Sequence, residues 1–192
     1  MTIISQTNEI ELVTKAQIGD RSAFSELVRT HAQGVLNVVY RMCGDKQLAE
    51  DAAQETFIQA WLRLPSFRPK SSLRNWLYRI AVNTAIDMLR KEKRILFNAV
   101  EDLSLMDSRP GPEAMLVSDE QTELIQKTVV GLPDASRSVL VLREYEGLSY
   151  QEIAKTLEIP IGTVMSRLNY ARRLLKERLE VHLFSYAEAE NV

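Results

Sequence analysis

Apolar side chains recur at intervals of three and four over most of residues 8–92, the spacing of one buried helix face. The first such stretch covers about Ile10–Ile18 and is broken at Gly19-Asp20. Asp20 can cap the second, Ala23–Met42, whose stripe is Phe24, Leu27, Val28, Val35, Val38, Val39 and Met42. Gly44-Asp45 ends it. The third runs from about Gln47 to Leu64, with Ala53, Phe57 and Trp61 four apart, and Pro65 stops it. The segment Pro65–Ser71 is a predicted loop, because its two prolines oppose helix and its serines favour a cap. A fourth helix begins near Ser71 or Ser72 and ends near Arg94, with Trp76, Ile80, Ala81, Met88 and Leu89 on its apolar side.

Periodicity fades over residues 95–120, which include Arg109-Pro110-Gly111-Pro112 and predict a linker. It returns near Gln121. A helix over 121–130 ends at Gly131-Leu132-Pro133, and another runs from Ala135 to Tyr145 and ends at Gly147. Ser149-Tyr150-Gln151-Glu152 is a capping box that opens a short helix over 150–157. After Pro160 a last long helix starts near Ile161–Thr163 and runs to about Leu183. The pattern predicts an all-α fold of two small helical domains, 1–95 and 121–192. A flexible acidic linker, 96–120, joins them, and the C-terminal domain is a helix-turn-helix.

Composition narrows the function. Hydrophobic residues make up 45% of the 192, enough to build a core, so a disordered chain is excluded. The single cysteine, Cys43, has no disulfide partner and points to a reducing cytosol. His31 and His182 stand far apart in sequence, so no metal site is expected. The N-terminus has no signal-peptide pattern, and no apolar run of membrane-spanning length occurs. A cytoplasmic protein without membrane insertion is therefore expected.

The net charge of −2 conceals strong segregation. Residues 63–94 carry +7, residues 101–123 carry −6 and residues 163–178 carry +4. Two basic blocks flanking an acidic one suit two contacts with a polyanion. The second block lies in the helix-turn-helix. There Val164, Leu168, Ala171 and Leu175 face the core, which turns Thr163, Ser166, Arg167, Asn169, Tyr170 and Arg173 to solvent. Polar side chains at the start of such a helix can reach base edges in a major groove, and the later basic residues suit phosphates.

The first block mixes Phe67, Trp76 and Tyr78 with Arg68, Lys70, Arg74 and Arg79. Single-stranded nucleic acid needs this mixture of cations for the backbone and rings for unstacked bases. Asn75, Arg79, Asn83 and Asp87, four apart, share a face that could bond a base swung from its stack. Trp76 itself suits the core. A third segment, 48–64, presents Glu50, Asp51, Gln54, Glu55 and Gln59, a negative surface better matched to a basic protein partner than to DNA.

The segments AEDAAQETFIQAW, WLYRIAVNTAIDMLRK and LPDASRSVLVLREYEGLSYQEIAKTLEIPIGTVMSRLNYARRLLKERL, in that order, resemble bacterial sigma factors of the extracytoplasmic-function (ECF) class. The resemblance covers about residues 10–95, the family's region 2, and 120–180, its region 4. It implies promoter-specific transcription initiation with core RNA polymerase and promoter DNA as partners, and an anti-sigma protein as regulator. Asp51, Gln54, Glu55 and Phe57 then fall where the family docks on the polymerase. Phe67, Arg68, Lys70, Ser71, Trp76, Arg79 and Asn83 fall where it opens the −10 element as single strand. Thr163, Ser166, Arg167, Asn169, Arg172 and Arg173 fall where it reads the −35 duplex. The chain departs from frequent patterns at Pro69-Lys70, where relatives often have Gly and a small residue after Arg68, and at Met165 and Glu158.

No Gly-rich phosphate loop, Ser/His/Asp set or metal cluster stands out, so neither a catalytic function nor a cofactor is expected. A DNA-binding regulator using only its helix-turn-helix is the main rival, and it leaves the first basic block without a role.

Overall fold

The computed structural model describes residues 6–68, 72–102 and 120–189. Lys70, Ser71 and most of the expected linker lie outside these residues. The described residues form helices and turns, with no strand among them.

The N-terminal module holds α1 (Gln6–Gln17), α2 (Arg21–Cys43), α3 (Lys46–Arg63) and α4 (Leu73–Asp102). Asp20 caps α2 by accepting from the N–H groups of Ser22 and Ala23 at 2.8 and 3.1 Å. Gly44 ends that helix at φ 78°, a backbone conformation that glycine adopts without a Cβ penalty. Asp45 then caps α3 through the N–H of Leu48, at 2.7 Å. Pro65 does stop α3, through a single 3₁₀ turn at Leu64–Ser66. Gln17 donates from its amide to the carbonyls of Leu64 and Phe67, at 3.1 and 2.9 Å, and pins that turn to α1. The stripe residues Val35, Val38, Val39 and Met42 are fully buried where α2 packs on α3 and α4.

Helix α4 is longer than expected. It continues past Arg94 to Asp102, into the stretch expected as linker. No Gly or Pro stands between Leu73 and Asp102, so nothing in the chain obliges it to stop at Arg94.

The C-terminal module holds α5 (Glu120–Val130), α6 (Asp134–Leu140), α7 (Tyr150–Leu157) and α8 (Ile161–Ala189). A π-helical turn, Val141–Tyr145, extends α6. The capping box forms: Ser149 Oγ accepts from the N–H of Glu152 at 3.2 Å, and Glu152 accepts from the N–H of Ser149 at 2.8 Å. The Glu152 carboxylate accepts from both the N–H and the hydroxyl of Ser149, so its carboxyl is held below the usual range. Val164, Leu168 and Ala171 of α8 are fully buried against α6 and α7.

The two modules are not separate in space. One contiguous apolar core runs from α1 to α8. Helix α5 lies on α2, and α7 lies on α4. Arg137, only 3% exposed, donates to the Met42 carbonyl, to the Leu132 carbonyl at 3.1 Å and to Asp134 at 2.6 Å. Gln126 donates to the Tyr40 carbonyl at 3.1 Å and accepts from Arg41 at 2.6 Å. A side chain at Gly44 would collide with a Val130 methyl 2.5 Å from its Cβ. The two helical domains expected from the sequence also share an interface, along the end of α2 and the start of α4.

Candidate nucleic-acid interface

Three surfaces carry the residues singled out above. The first is the groove between α3 and α4. Asp51, Gln54 and Glu55 line it beside Ile58, Met88, Lys91 and Ile95, around a volume of about 720 Å³. Phe57 does not line this groove. It turns inward beside Phe24, Leu27 and Trp76. Ile58 takes the place expected of Phe57 and is 54% exposed. An acidic rim over exposed apolar side chains suits a basic amphipathic helix.

The second surface is the start of α4. Phe67 is 7% exposed, its ring 4.9 Å from that of the half-buried Trp76, so Phe67 packs inside the module and its ring does not stand open to a base. Arg68 is exposed at the adjoining turn. Asn75 is buried against α7, with no hydrogen-bond partner at its Oδ1 among the described residues. Of the expected four-residue series, Asn83 and Asp87 stay exposed. They border a hollow of about 260 Å³ with Gln59, Arg63 and Lys91. Arg79 is half-buried and paired with Glu158 of the C-terminal module. Tyr78 is buried, and its hydroxyl donates to Glu146. Desolvation, reinforced by that carboxylate, drives its phenol well above the ordinary range.

The third surface is the outer face of α8. Ser166, Asn169 and Tyr170 are exposed, while Thr163 and Arg167 are half-buried at the helix start. The hydroxyl of Ser166 donates to the Thr163 carbonyl at 3.1 Å. Arg173 lies over the Tyr170 ring, 5.5 Å from its centroid. Arg172 donates to Glu144 from two nitrogens, at 3.1 and 2.5 Å, so it braces α8 on the π-helical turn. That carboxylate keeps the Arg172 guanidinium protonated to higher pH than usual.

Sequence reasoning missed Ile58 and Ile95 in the groove, apolar residues placed off the core stripe of their helices, and read Met88 only as part of that stripe. It also noted Glu158 only as an unusual turn residue. Among the described residues no group of His, Cys, Asp and Glu is placed to hold a metal. No helix there is long and apolar enough to cross a membrane.

A helix-turn-helix with polar side chains exposed at the start of its second helix, carried on a helical bundle, defines a DNA-binding protein. Residues 27–95 match the family Sigma-70 region 2, and residues 122–175 match Sigma-70, region 4. The chain is 36% identical over 190 residues to the RNA polymerase sigma-H factor of Pseudomonas aeruginosa, covering 93% of this chain and 97% of the relative. It is 35% identical to the ECF RNA polymerase sigma factor SigW of Bacillus subtilis, over 88% of this chain and 98% of that one. Two solved structures are also similar. One is the sigma factor RpoE in complex with the anti-sigma factor NepR from Bartonella quintana, with a TM-score of 0.66 and 25% identity, covering 82% of this chain and 97% of that one. The other is CnrH in complex with the cytosolic domain of CnrY, with a TM-score of 0.65 and 26% identity, covering 90% and 97%. The chain belongs to the ECF class of RNA polymerase sigma factors. It serves promoter-specific initiation of transcription.

Proposed function

We propose that the three surfaces divide the labour of initiation. The α3–α4 groove, with Asp51, Gln54 and Glu55 at its rim and Ile58 in its floor, docks on core polymerase. Arg68, Arg79 and Asn83 capture the opened −10 strand, joined by Lys70 and Ser71. Phe67 and Trp76 support that face from beneath. Thr163, Ser166, Arg167 and Asn169 read the −35 duplex, and Arg173 holds phosphate beside them. Arg172 acts by holding α8 in place. The observation that carries this reading is the exposed polar face at the start of α8, on a helix whose opposite side is fully buried.

Bidentate contacts to base edges discriminate by about 1–3 kcal/mol each. Neither DNA surface is extensive, so mounting both on polymerase supplies the effective concentration that tight promoter binding needs. Strand opening is driven by binding energy, the chain has no catalytic role of its own, and it works in the cytoplasm. An anti-sigma protein that covers the α3–α4 groove is the expected regulator; the similar RpoE structure is a complex with the anti-sigma factor NepR.

The test is run-off transcription from a fragmented genomic library, with core polymerase alone and with the purified chain. Specific starts at a shared pair of elements, about one and a half to two turns apart at ~10.5 base pairs per turn, are expected. Core polymerase that gains no specific starts, with no inhibitor copurifying, leaves only a helix-turn-helix regulator.

A further inference from the structure

Gln17 is the last residue of α1, and its side-chain amide reaches 47 and 50 positions along the chain to the turn that ends α3. Its nitrogen donates to the carbonyls of Leu64 and Phe67, at 3.1 and 2.9 Å. The Leu64 carbonyl already accepts from the N–H of Phe67 at 3.0 Å, so it would have a partner without Gln17. The need to satisfy a backbone group therefore does not by itself explain that bond. What Gln17 adds is direction. It bonds the carbonyls at both ends of the turn and so fixes the line on which the chain leaves α3.

The platform is itself fixed. Ala16, beside Gln17, is 2% exposed. Toward the other end of α1, a Glu9 carboxylate oxygen lies 2.7 Å from Nε2 of His31 on α2. Phe67 is thus held from two sides, its carbonyl by Gln17 and its ring by Trp76 of α4. The next residue is the exposed Arg68, and Trp76 stands three residues before Arg79 and seven before Asn83. Gln17 and Trp76 together set where Arg68 stands relative to the Arg79 and Asn83 face. A recognition site works when its groups are held to within about 0.5 Å by the packing and hydrogen bonds behind them. Trp76 supplies the packing here, and Gln17 the hydrogen bonds.

We propose that Gln17 is a positioning residue for −10 recognition. Without touching DNA, its two bonds hold the Leu64–Phe67 turn so that Arg68 meets the captured strand together with Arg79 and Asn83. Helix α1 thereby takes part in strand opening, although it carries none of the −10 residues. The inference rests on the −10 role given to that face above.

The test uses the full chain with core polymerase and the strongest promoter recovered by the run-off experiment, made as a library at its −10 positions with the −35 element fixed. Gln17→Glu keeps the shape and loses the donors, because a carboxylate only accepts. Gln17→Met is a second donor-free variant, without charge, and Gln17→Lys restores a donor. A hydrogen bond shifts an equilibrium by about two- to tenfold. Both donor-free variants should therefore flatten the −10 base preference about tenfold and slow open-complex formation, read from permanganate reactivity of unpaired thymines. Their affinity for −35 duplex should stay as in the natural chain, and Gln17→Lys should keep the natural −10 preference. Preference is a ratio between promoters, so neither an added charge nor a uniform loss of folded protein moves it. Adding Arg68→Ala to Gln17→Glu should cost less than Arg68→Ala does alone, because the two act through one contact.

A natural −10 preference and opening rate in both donor-free variants would overturn the positioning role. So would equal losses at the −35 and −10 elements, full additivity with Arg68→Ala, or a Gln17→Lys chain that behaves like Gln17→Met. Arg68→Ala by itself separates this failure from failure of the −10 assignment. If it flattens the −10 preference and the donor-free variants do not, the positioning role alone fails. If it leaves the preference unchanged, the assignment of that face fails and takes the inference with it.

Discussion

The two basic blocks look alike in sequence and fare differently in the fold. On α8 the polar residues at the helix start face outward, and the core lies wholly behind them. On α4 the corresponding face is divided. Asn83 and Asp87 are exposed, Arg79 is taken by Glu158 and Asn75 is buried beneath α7. The difference arises because α8 closes the edge of its module, whereas α4 lies between its own bundle and the other module. A basic stretch is an interface only where no other part of the same chain covers it.

The strongest way to break this comparison is at the contact between modules. Arg137→Ala leaves the Met42 and Leu132 carbonyls without their buried donor, and unsatisfied buried groups cost about 1–3 kcal/mol each. We expect about 3 kcal/mol less stability in a urea titration; a loss within error would mean that the interface is not formed in solution. Next in size is the groove. Asp51→Lys with Glu55→Lys should weaken core-polymerase binding at least about tenfold, or ~1.4 kcal/mol, with helix content unchanged. An unaltered pull-down removes the docking role.

The paired substitutions Arg167→Ala and Asn83→Ala sharpen the comparison directly. The first should flatten base preference across a −35 library by about 1–3 kcal/mol and leave strand opening alone. The second should slow open-complex formation and spare −35 duplex binding. Identical phenotypes would collapse the two surfaces into one. A smaller effect is expected at Ser149→Ala, which removes one half of the capping box and should cost about 1 kcal/mol in thermal unfolding.

The smallest effect concerns alkaline pH. Burial pushes the Cys43 thiol up from 9.0 to about 12. A folded-state value above the unfolded one means that the neutral thiol contributes its stability fully below pH 9 and loses it as pH rises toward about 12. Tyr78 is shifted in the same direction. Stability should therefore fall above pH 9, and Cys43→Ala should fall less steeply but not become flat. Parallel curves for the two chains would mean that the thiol is not buried in solution.

Much of this was legible beforehand. The Asp20 cap, the Gly44 stop, the turn at Pro65 and the Ser149 capping box are local devices, decided within four or five residues. The stripes of α2 and α8 were equally plain, because a fully buried face leaves a strict three–four pattern. The end of α4 was misjudged: falling periodicity over 95–102 records the loss of a packing partner, and a helix can outlast its partner when nothing breaks it. Phe67 and Phe57 were misplaced because an aromatic residue beside charges reads equally as a stacking platform or as a core anchor. Only the ring's neighbours decide between them.

By itself, then, the sequence determined the helices, their caps, the helix-turn-helix and the family, since each follows from short-range spacing or from motifs in a fixed order. The tertiary structure alone decided which charged faces stay open, because a pairing such as Arg79 with Glu158 joins residues 79 positions apart and leaves no periodic trace.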